Sequence, residues 1–324
     1  MNNQTVLVTG GTGFLGINTI LSLLKQGFTV RTTLRTFSRK NEILNALSKA
    51  GISNLHQLSF YEADLLSDNG WDEAAQGCDY VLHVASPFVA EQPKDENELI
   101  VPAKEGTLRA LKAAEKAEVK RVVLTSSFAA IGYSIDPKNH IFTELDWTDE
   151  RAPIQAYIKS KTIAEKAAWQ FMENAAAAME LTVINPVGIF GPVLGGISSA
   201  SLDTVVKGIV EGHIKENAPF TFGVVDVRDV ADIHIKAMLH PEAAGQRFLA
   251  TSEGAMSFYD VAELIKKERP KLAGKIAAMQ PTPVEEYTQM SNKKAIEMLD
   301  WHPRAKEQAI LASVDSLKFK NLQN

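Results

Sequence analysis

The first half of the chain alternates short β-branched runs with longer stretches of helical periodicity. Thr5–Thr9 (TVLVT), Thr29–Leu34 (TVRTTL), Leu55–Tyr61, Tyr80–Val84 (YVLHV), Arg121–Thr125 (RVVLT) and Leu181–Ile184 (LTVI) predict strands. Phe14–Lys25, Asn41–Ala50, Glu98–Lys116 and Ala156–Asn174 predict helices between them. In Phe14–Lys25, Leu15, Thr19 and Ser22 share one face, Ile17, Leu21 and Leu24 another, and Gly27 follows as a stop. Runs that are apolar at nearly every position mark strands covered on both faces. Strict β–α alternation requires crossover connections, so the expected fold class is α/β, an open, doubly wound parallel sheet.

After Pro186 the pattern changes. Positions 188–196 are rich in glycine and proline, and 187–222 and 251–324 carry shorter elements. With about 150 residues per domain, 324 residues predict two lobes. Residues 1–186 are expected to form the larger, α/β lobe. Positions 187–222 and 251–324 form a smaller C-terminal substrate lobe, and 223–250, which returns to strand, helix and strand, rejoins the first.

Composition narrows the partners. With 45% apolar and 23% charged residues and a net charge of -5, the chain lacks the basic footprint of a nucleic-acid or anionic-membrane binder. The single cysteine, Cys78, excludes an internal disulfide and fits a reducing compartment. Seven scattered histidines offer no metal-ligand spacing, so no metal is expected. The short polar N-terminus and the lack of a ~20-residue apolar run predict a cytoplasmic protein, monomer or homodimer, acting on a small molecule.

Thr9-Gly10-Gly11-Thr12-Gly13-Phe14-Leu15-Gly16 follows the first strand and opens the first helix. Glycines at 10, 13 and 16 suit a tight turn, close approach of backbone to a pyrophosphate, and close helix–strand packing. The helix start adds unpaired amides and partial positive charge. This strand–turn–helix is the mark of a Rossmann-type lobe, with Thr9, Gly10, Thr12, Gly13, Phe14, Leu15 and Gly16 at the cofactor. An acid at the end of the second strand would bind a free ribose 2′-hydroxyl. Here Val30–Lys40 carries no acid and four cations. Arg35 can clamp a 2′-phosphate in bidentate fashion, with Arg39 or Lys40 adding charge, so NADP(H) is the expected cofactor.

Tyr157 and Lys161 stand at i and i+4, on one helix face. An ammonium beside a phenol favours the phenolate, which predicts a lowered tyrosine pKa. Thr125-Ser126-Ser127 puts hydroxyls at the C-terminal end of the fifth strand, where open α/β sheets bind ligands.

At these residues the chain resembles the extended short-chain dehydrogenases/reductases, and within them the branch of dihydroflavonol reductase, cinnamoyl-CoA reductase and yeast methylglyoxal/aldehyde reductase. The resemblance runs through TGGTGFLG at 9–16, Glu62-Ala63-Asp64-Leu65, Gly77–Pro87, Glu105-Gly106-Thr107, Ser127/Tyr157/Lys161, Asn185–Pro192 and Val225–Ala231. It implies Tyr157 as proton donor, Ser127 as partner of the substrate oxygen, and Lys161 on the nicotinamide ribose. It also implies Asp64 and Leu65 beside the adenine, Val84, Ala85, Ser86 and Thr125 along the cofactor groove, and Pro186 and Val187 by the nicotinamide. Phe88, Val89, Phe128, Ile131, Val193 and residues near 220–225 are expected to line the substrate pocket. His83 reads as a core histidine and Cys78 as buried and inert.

The departures bear on substrate. Ile154-Gln155-Ala156 replaces the NWYCYGK-type stretch of the CoA reductases, and small residues ending in Gly132 replace an asparagine of the flavonoid enzymes. Both argue for a simpler carbonyl. The expected activity is NADPH-dependent reduction of an aldehyde or ketone to an alcohol. The alternatives are a nucleotide-sugar epimerase or dehydratase, which recycles NAD and so would want the missing acid, and a non-catalytic NADP sensor, which would be expected to lose Ser127, Tyr157 or Lys161.

Overall fold

A computed structural model of the chain describes residues 4–53, 55–87, 93–175 and 179–319. In chain order the first half runs β1 (Thr5–Val8), α1 (Phe14–Lys25), β2 (Thr29–Leu34), α2 (Lys40–Lys49), β3 (Leu58–Glu62), α3 (Trp71–Ala75), β4 (Tyr80–His83), α4 (Asn97–Lys116), β5 (Arg121–Thr125), β6 (Ile141–Phe142), α5 (Ala156–Asn174) and β7 (Glu180–Pro186). The remainder runs β8 (Gly188–Phe190), α6 (Lys207–Val210), β9 (Phe222–Asp226), α7 (Val227–Leu239), β10 (Arg247–Ala250), β11 (Ala255–Met256), α8 (Phe258–Glu268), β12 (Gln289–Met290), α9 (Lys293–Leu299) and α10 (Lys306–Ser316).

Seven strands form one parallel sheet in the order β10-β7-β5-β4-β1-β2-β3. The order reverses between β1 and β4, so a crevice opens at their C-terminal ends, where such sheets take ligands. Apolar strands demand cover on both faces. One core gathers Ile17, Ile20 and Leu23 of α1, Ile43 and Leu47 of α2, and Val230 and Ile233 of α7. The other gathers Trp71 of α3, Leu111 and Ala114 of α4, and Ala168 of α5.

The stretch 223–250 divides, contrary to its expected return to the first lobe as a whole. β10 pairs with β7 and α7 packs on α1. β9 instead joins a small three-stranded sheet in the order β11-β9-β8. The third predicted strand starts later than expected, because the Leu58 amide closes a turn onto the Leu55 carbonyl before β3 begins.

Candidate active site

The glycine loop is built against the crevice. Gly10 has φ +70°, in the left-handed region, and a Cβ there would sit 3.0 Å from Cα of Ala85. A Cβ on Gly16 would collide with the Gly10 carbonyl oxygen. Thr9 fastens the two strand ends: its buried Oγ1 accepts from the Ala85 amide at 3.0 Å and lies 3.0 Å from His83 Nδ1. Thr33 Oγ1 accepts from the Gly10 amide at 3.0 Å. Gly13 caps α1 without any side-chain hydrogen bond, so the first-turn amides keep no such partner. Phe14 and Leu15 point the other way, into the core, and Thr12 stays half-buried.

A small cleft lies between the chain at Ala85 and Ser86 and the helix α5. Leu65, Ala85, Ser86, Thr125 and Lys161 line it together with Ala103, Thr107 and Ser126. Val84 is half-buried beside it. Asp64 turns away: its Oδ1 accepts from the Leu66 amide at 2.9 Å, and its backbone carbonyl accepts from the Trp71 indole at 3.1 Å. Pro186 ends β7 against Ala250, and Val187 is buried against Gly223.

Arg35 is exposed just past β2 and makes no ion pair or hydrogen bond among the described residues. The other cations of that turn are committed. Arg39 grips Glu42 through two bonds of 2.9 and 2.7 Å, and the Lys40 ammonium stands 4.9 Å over the Phe60 ring. An acid does reach this corner, from β3 rather than β2: Glu62 Oε1 accepts from the Phe37 amide at 2.6 Å.

The two hydroxyls meet between the end of β5 and the first turn of α5, and Lys161 follows one turn later, in the cleft. Ser127 Oγ accepts from the Ala129 amide at 3.1 Å and interacts with the Tyr157 hydroxyl. Tyr157 keeps 36% of its surface open, while its phenol end is enclosed. Burial pushes the Tyr157 pKa up, Ser127 pulls it down, and Tyr133 raises it. This reverses the lowering expected from the helix spacing, because desolvation of a phenolate outweighs the helpful contacts. Lys161, only 9% exposed, is pushed down to about 8 by burial, with Glu165 working against that shift. His83 and His234 lie buried nearby, held down to about 3 and about 4 by the same desolvation.

The pocket expectations divide. Phe128 is half-buried and packs edge-on against Phe142 and Tyr133, with centroids 5.3 and 5.8 Å away. Ile131 has no exposed surface and belongs to the core. The Val193 amide is tied to Ser316 Oγ at 2.8 Å, beside α10. Phe88 and Val89 lie outside the described residues. Two residues, one beside the phenol and one beside Lys161, carry no signal in the sequence pattern. Tyr133 brings a second phenol toward Tyr157, and Glu165 sits one helical turn beyond Lys161. Cys78 is buried, its thiol pushed up to about 11, which fits an inert core cysteine. Among the described residues no group of His, Cys, Asp and Glu could hold a metal, and no helix is long and apolar enough to cross a membrane.

Known proteins are similar to this chain in sequence and fold. A cinnamoyl-CoA reductase from Medicago truncatula is 32% identical over 328 residues, spanning 99% of this chain and 98% of its own length. A ketoreductase from Aspergillus niger is 35% identical over 294 residues, 84% of this chain and 85% of its own. The structure of yeast methylglyoxal/isovaleraldehyde reductase complexed with NADPH superposes with a TM-score of 0.84 at 28% identity, over 97% of this chain and 98% of that one. The sequence model of the NAD dependent epimerase/dehydratase family matches residues 6–249, from β1 through β10, and so takes in the glycine loop, the serine pair and the Tyr–Lys helix. On that match, which covers well over half of its length, the chain belongs to the NAD dependent epimerase/dehydratase family.

Proposed function

We propose that the chain is an NADPH-dependent carbonyl reductase that turns an aldehyde or ketone into an alcohol. The observation that carries this reading is the contact of Ser127 with Tyr157, one helical turn before Lys161, which lines the cleft beside Ala85 and Ser86. The relatives support the direction, since their names are those of reductases.

The residues fit a dinucleotide. The uncapped start of α1 and the Gly10–Gly13–Gly16 cradle suit a pyrophosphate, and a side chain at Gly16 could not be accommodated. Leu65, Ala85, Ser86 and Thr125 form an uncharged wall, and Arg35 is a free cation for a 2′-phosphate. Pro186, Val187 and Lys161 take the nicotinamide end. NADPH, when bound, supplies the hydride for the carbonyl carbon.

The chain's own work is on the proton. Ser127 Oγ holds the carbonyl oxygen toward Tyr157. A phenol whose pKa is raised by burial is fully protonated at neutral pH, which suits a donor in the reductive direction. The Lys161 ammonium, with a pKa of about 8, is largely charged there and stabilises the phenolate left behind. Together these residues act by orientation and general acid catalysis, the latter contributing roughly 10²–10⁴-fold.

We place Lys40 and Asp64 at the edge of the cofactor site, not on its phosphates. The reading also has residues 187–222 and 251–324, with β9, cover the substrate side, and it suits a cytoplasmic setting. The test is NADPH oxidation with purified protein against aldehydes, diketones, ketoesters and nucleotide sugars. Turnover of simple carbonyls is expected; turnover of UDP- or GDP-sugars alone would favour an epimerase.

A further inference from the structure

Behind the serine–tyrosine–lysine group lies a buried carboxylate that the reaction itself does not touch. Glu165 follows Lys161 by one turn of α5, and its side chain has no exposed surface. It accepts from Arg247 Nε of β10 at 2.6 Å, Asn185 Nδ2 of β7 at 2.7 Å, the Ser126 hydroxyl beyond β5, and the Trp169 indole at 3.4 Å. Asn185 Nδ2 also reaches the Ser127 carbonyl oxygen at 3.2 Å. Arg247 is fixed in turn by the carbonyls of Glu144 and Asp146, at 2.6 and 2.9 Å, and by the Trp147 ring 3.7 Å below its guanidinium. One carboxylate thus ties the catalytic helix to the ends of three strands.

Stability is a weak reason to keep such a cluster. Buried ion pairs replaced whole by apolar side chains often leave stability unchanged or improved. This one also leaves Asn185 Oδ1 and Arg247 Nη2 buried without a partner, which costs free energy. What the cluster does secure is the position of Ser127 and a negative charge behind Lys161.

We infer that Glu165 is a positioning residue for the reduction proposed above: it fixes the Ser126–Ser127 strand end and holds Lys161, one turn after Tyr157, as an ammonium. Among the described residues, the surroundings of Lys161 leave that task to Glu165. β4 contributes His83, neutral at working pH, and α5 contributes Tyr157, a neutral phenol. α4 contributes Ala103 and Thr107, and the remaining cleft residues, Leu65, Ala85, Ser86, Thr125 and Ser126, carry no charge. Arg247 and Glu144 lie beyond Glu165 and act through it. Burial drives Lys161 toward the neutral amine, and Glu165 opposes it.

Glu165→Gln keeps the shape and removes the charge. In the cofactor-free protein labelled with [ε-13C]lysine, the Lys161 resonance, identified by its loss in Lys161→Arg, is expected to titrate roughly one pH unit lower in Glu165→Gln than in the parent. The high-pH limb of kcat/KM at saturating NADPH should move down with it. A folded Glu165→Gln protein whose Lys161 titration and pH profile match the parent would show a structural role only and overturn the inference. Should Glu165→Gln not fold, Ser126→Ala removes a single hydroxyl. That variant is expected to lose about tenfold in kcat with KM unchanged, and a parental kcat would equally overturn the positioning role. The lysine titration needs no turnover, so a parent inert toward every carbonyl would refute the reductase reading while leaving the Lys161–Glu165 link measurable.

Discussion

His234 Nε2 lies 2.6 Å from Thr125 Oγ1, with its Nδ1 2.7 Å from the Val230 carbonyl. The ring is therefore enclosed between α7 and the strand end that carries the serine pair. Its pKa is held down to about 4 against 6.5 unfolded, so the unfolded chain binds the extra proton first as pH falls. The stability that this neutral ring contributes is complete above pH ~6.5 and is lost between ~6.5 and ~4, at about 1.4 kcal/mol per pH unit. Urea unfolding across that range should show a shallower pH slope in His234→Gln by about that amount. Parallel curves for variant and parent would mean that the ring titrates normally in the fold.

Tyr157→Phe removes the donated proton and keeps the ring. We expect kcat to fall on the order of 10²-fold or more, with NADPH binding, followed by fluorescence, nearly unchanged. Near-parental turnover would remove Tyr157 from the chemistry.

Arg35→Ala tests the cofactor. Hydrogen bonds to charged groups are worth about 1.5–3 kcal/mol, so kcat/KM for NADPH should drop roughly tenfold to a hundredfold while that for NADH holds. Arg39 offers little compensation because Glu42 occupies it. Equal losses for both cofactors would assign Arg35 to the loop, and a parent that prefers NADH would overturn the cofactor reading, with Glu62 the first residue to examine.

Gly16→Ala separates helix propensity from the cradle. On propensity alone alanine gains about 1 kcal/mol in a helix. Here its Cβ meets the Gly10 carbonyl, so the turn must shift. A displacement on the order of 1 Å costs about 10²-fold in kcat/KM, and NADPH titration should weaken in parallel. Parental affinity with raised thermal stability would show that the turn relaxes freely.

The sequence exposed local rules well and long-range ones poorly. The bounds of α1 and α5 were legible: Phe14–Lys25 and Ala156–Asn174 form helices over the spans that periodicity predicts. The Tyr157–Lys161 pair was legible because four residues of helix bring side chains together. Glu165 and Arg247 are 82 residues apart and meet only through the pairing of β10 with β7. Ile131 reads as a residue beside the serines, yet the short 3₁₀ turn at Phe128–Ala130 delivers it into the core. The direction of the Tyr157 shift is not legible in the sequence, because spacing reports a neighbour's charge and says nothing about how much water is excluded.

β10 enters the main sheet between β9 and β11, both of which belong to the small sheet. Neither sheet is therefore a continuous length of chain. A fragment ending at residue 186 would expose β7 as a raw edge and strand Glu165 in the interior with no guanidinium opposite it. Halves of this protein expressed apart should not fold. The intact chain should melt as one cooperative unit, and a protease should find no seam at which to release a working nucleotide-binding piece.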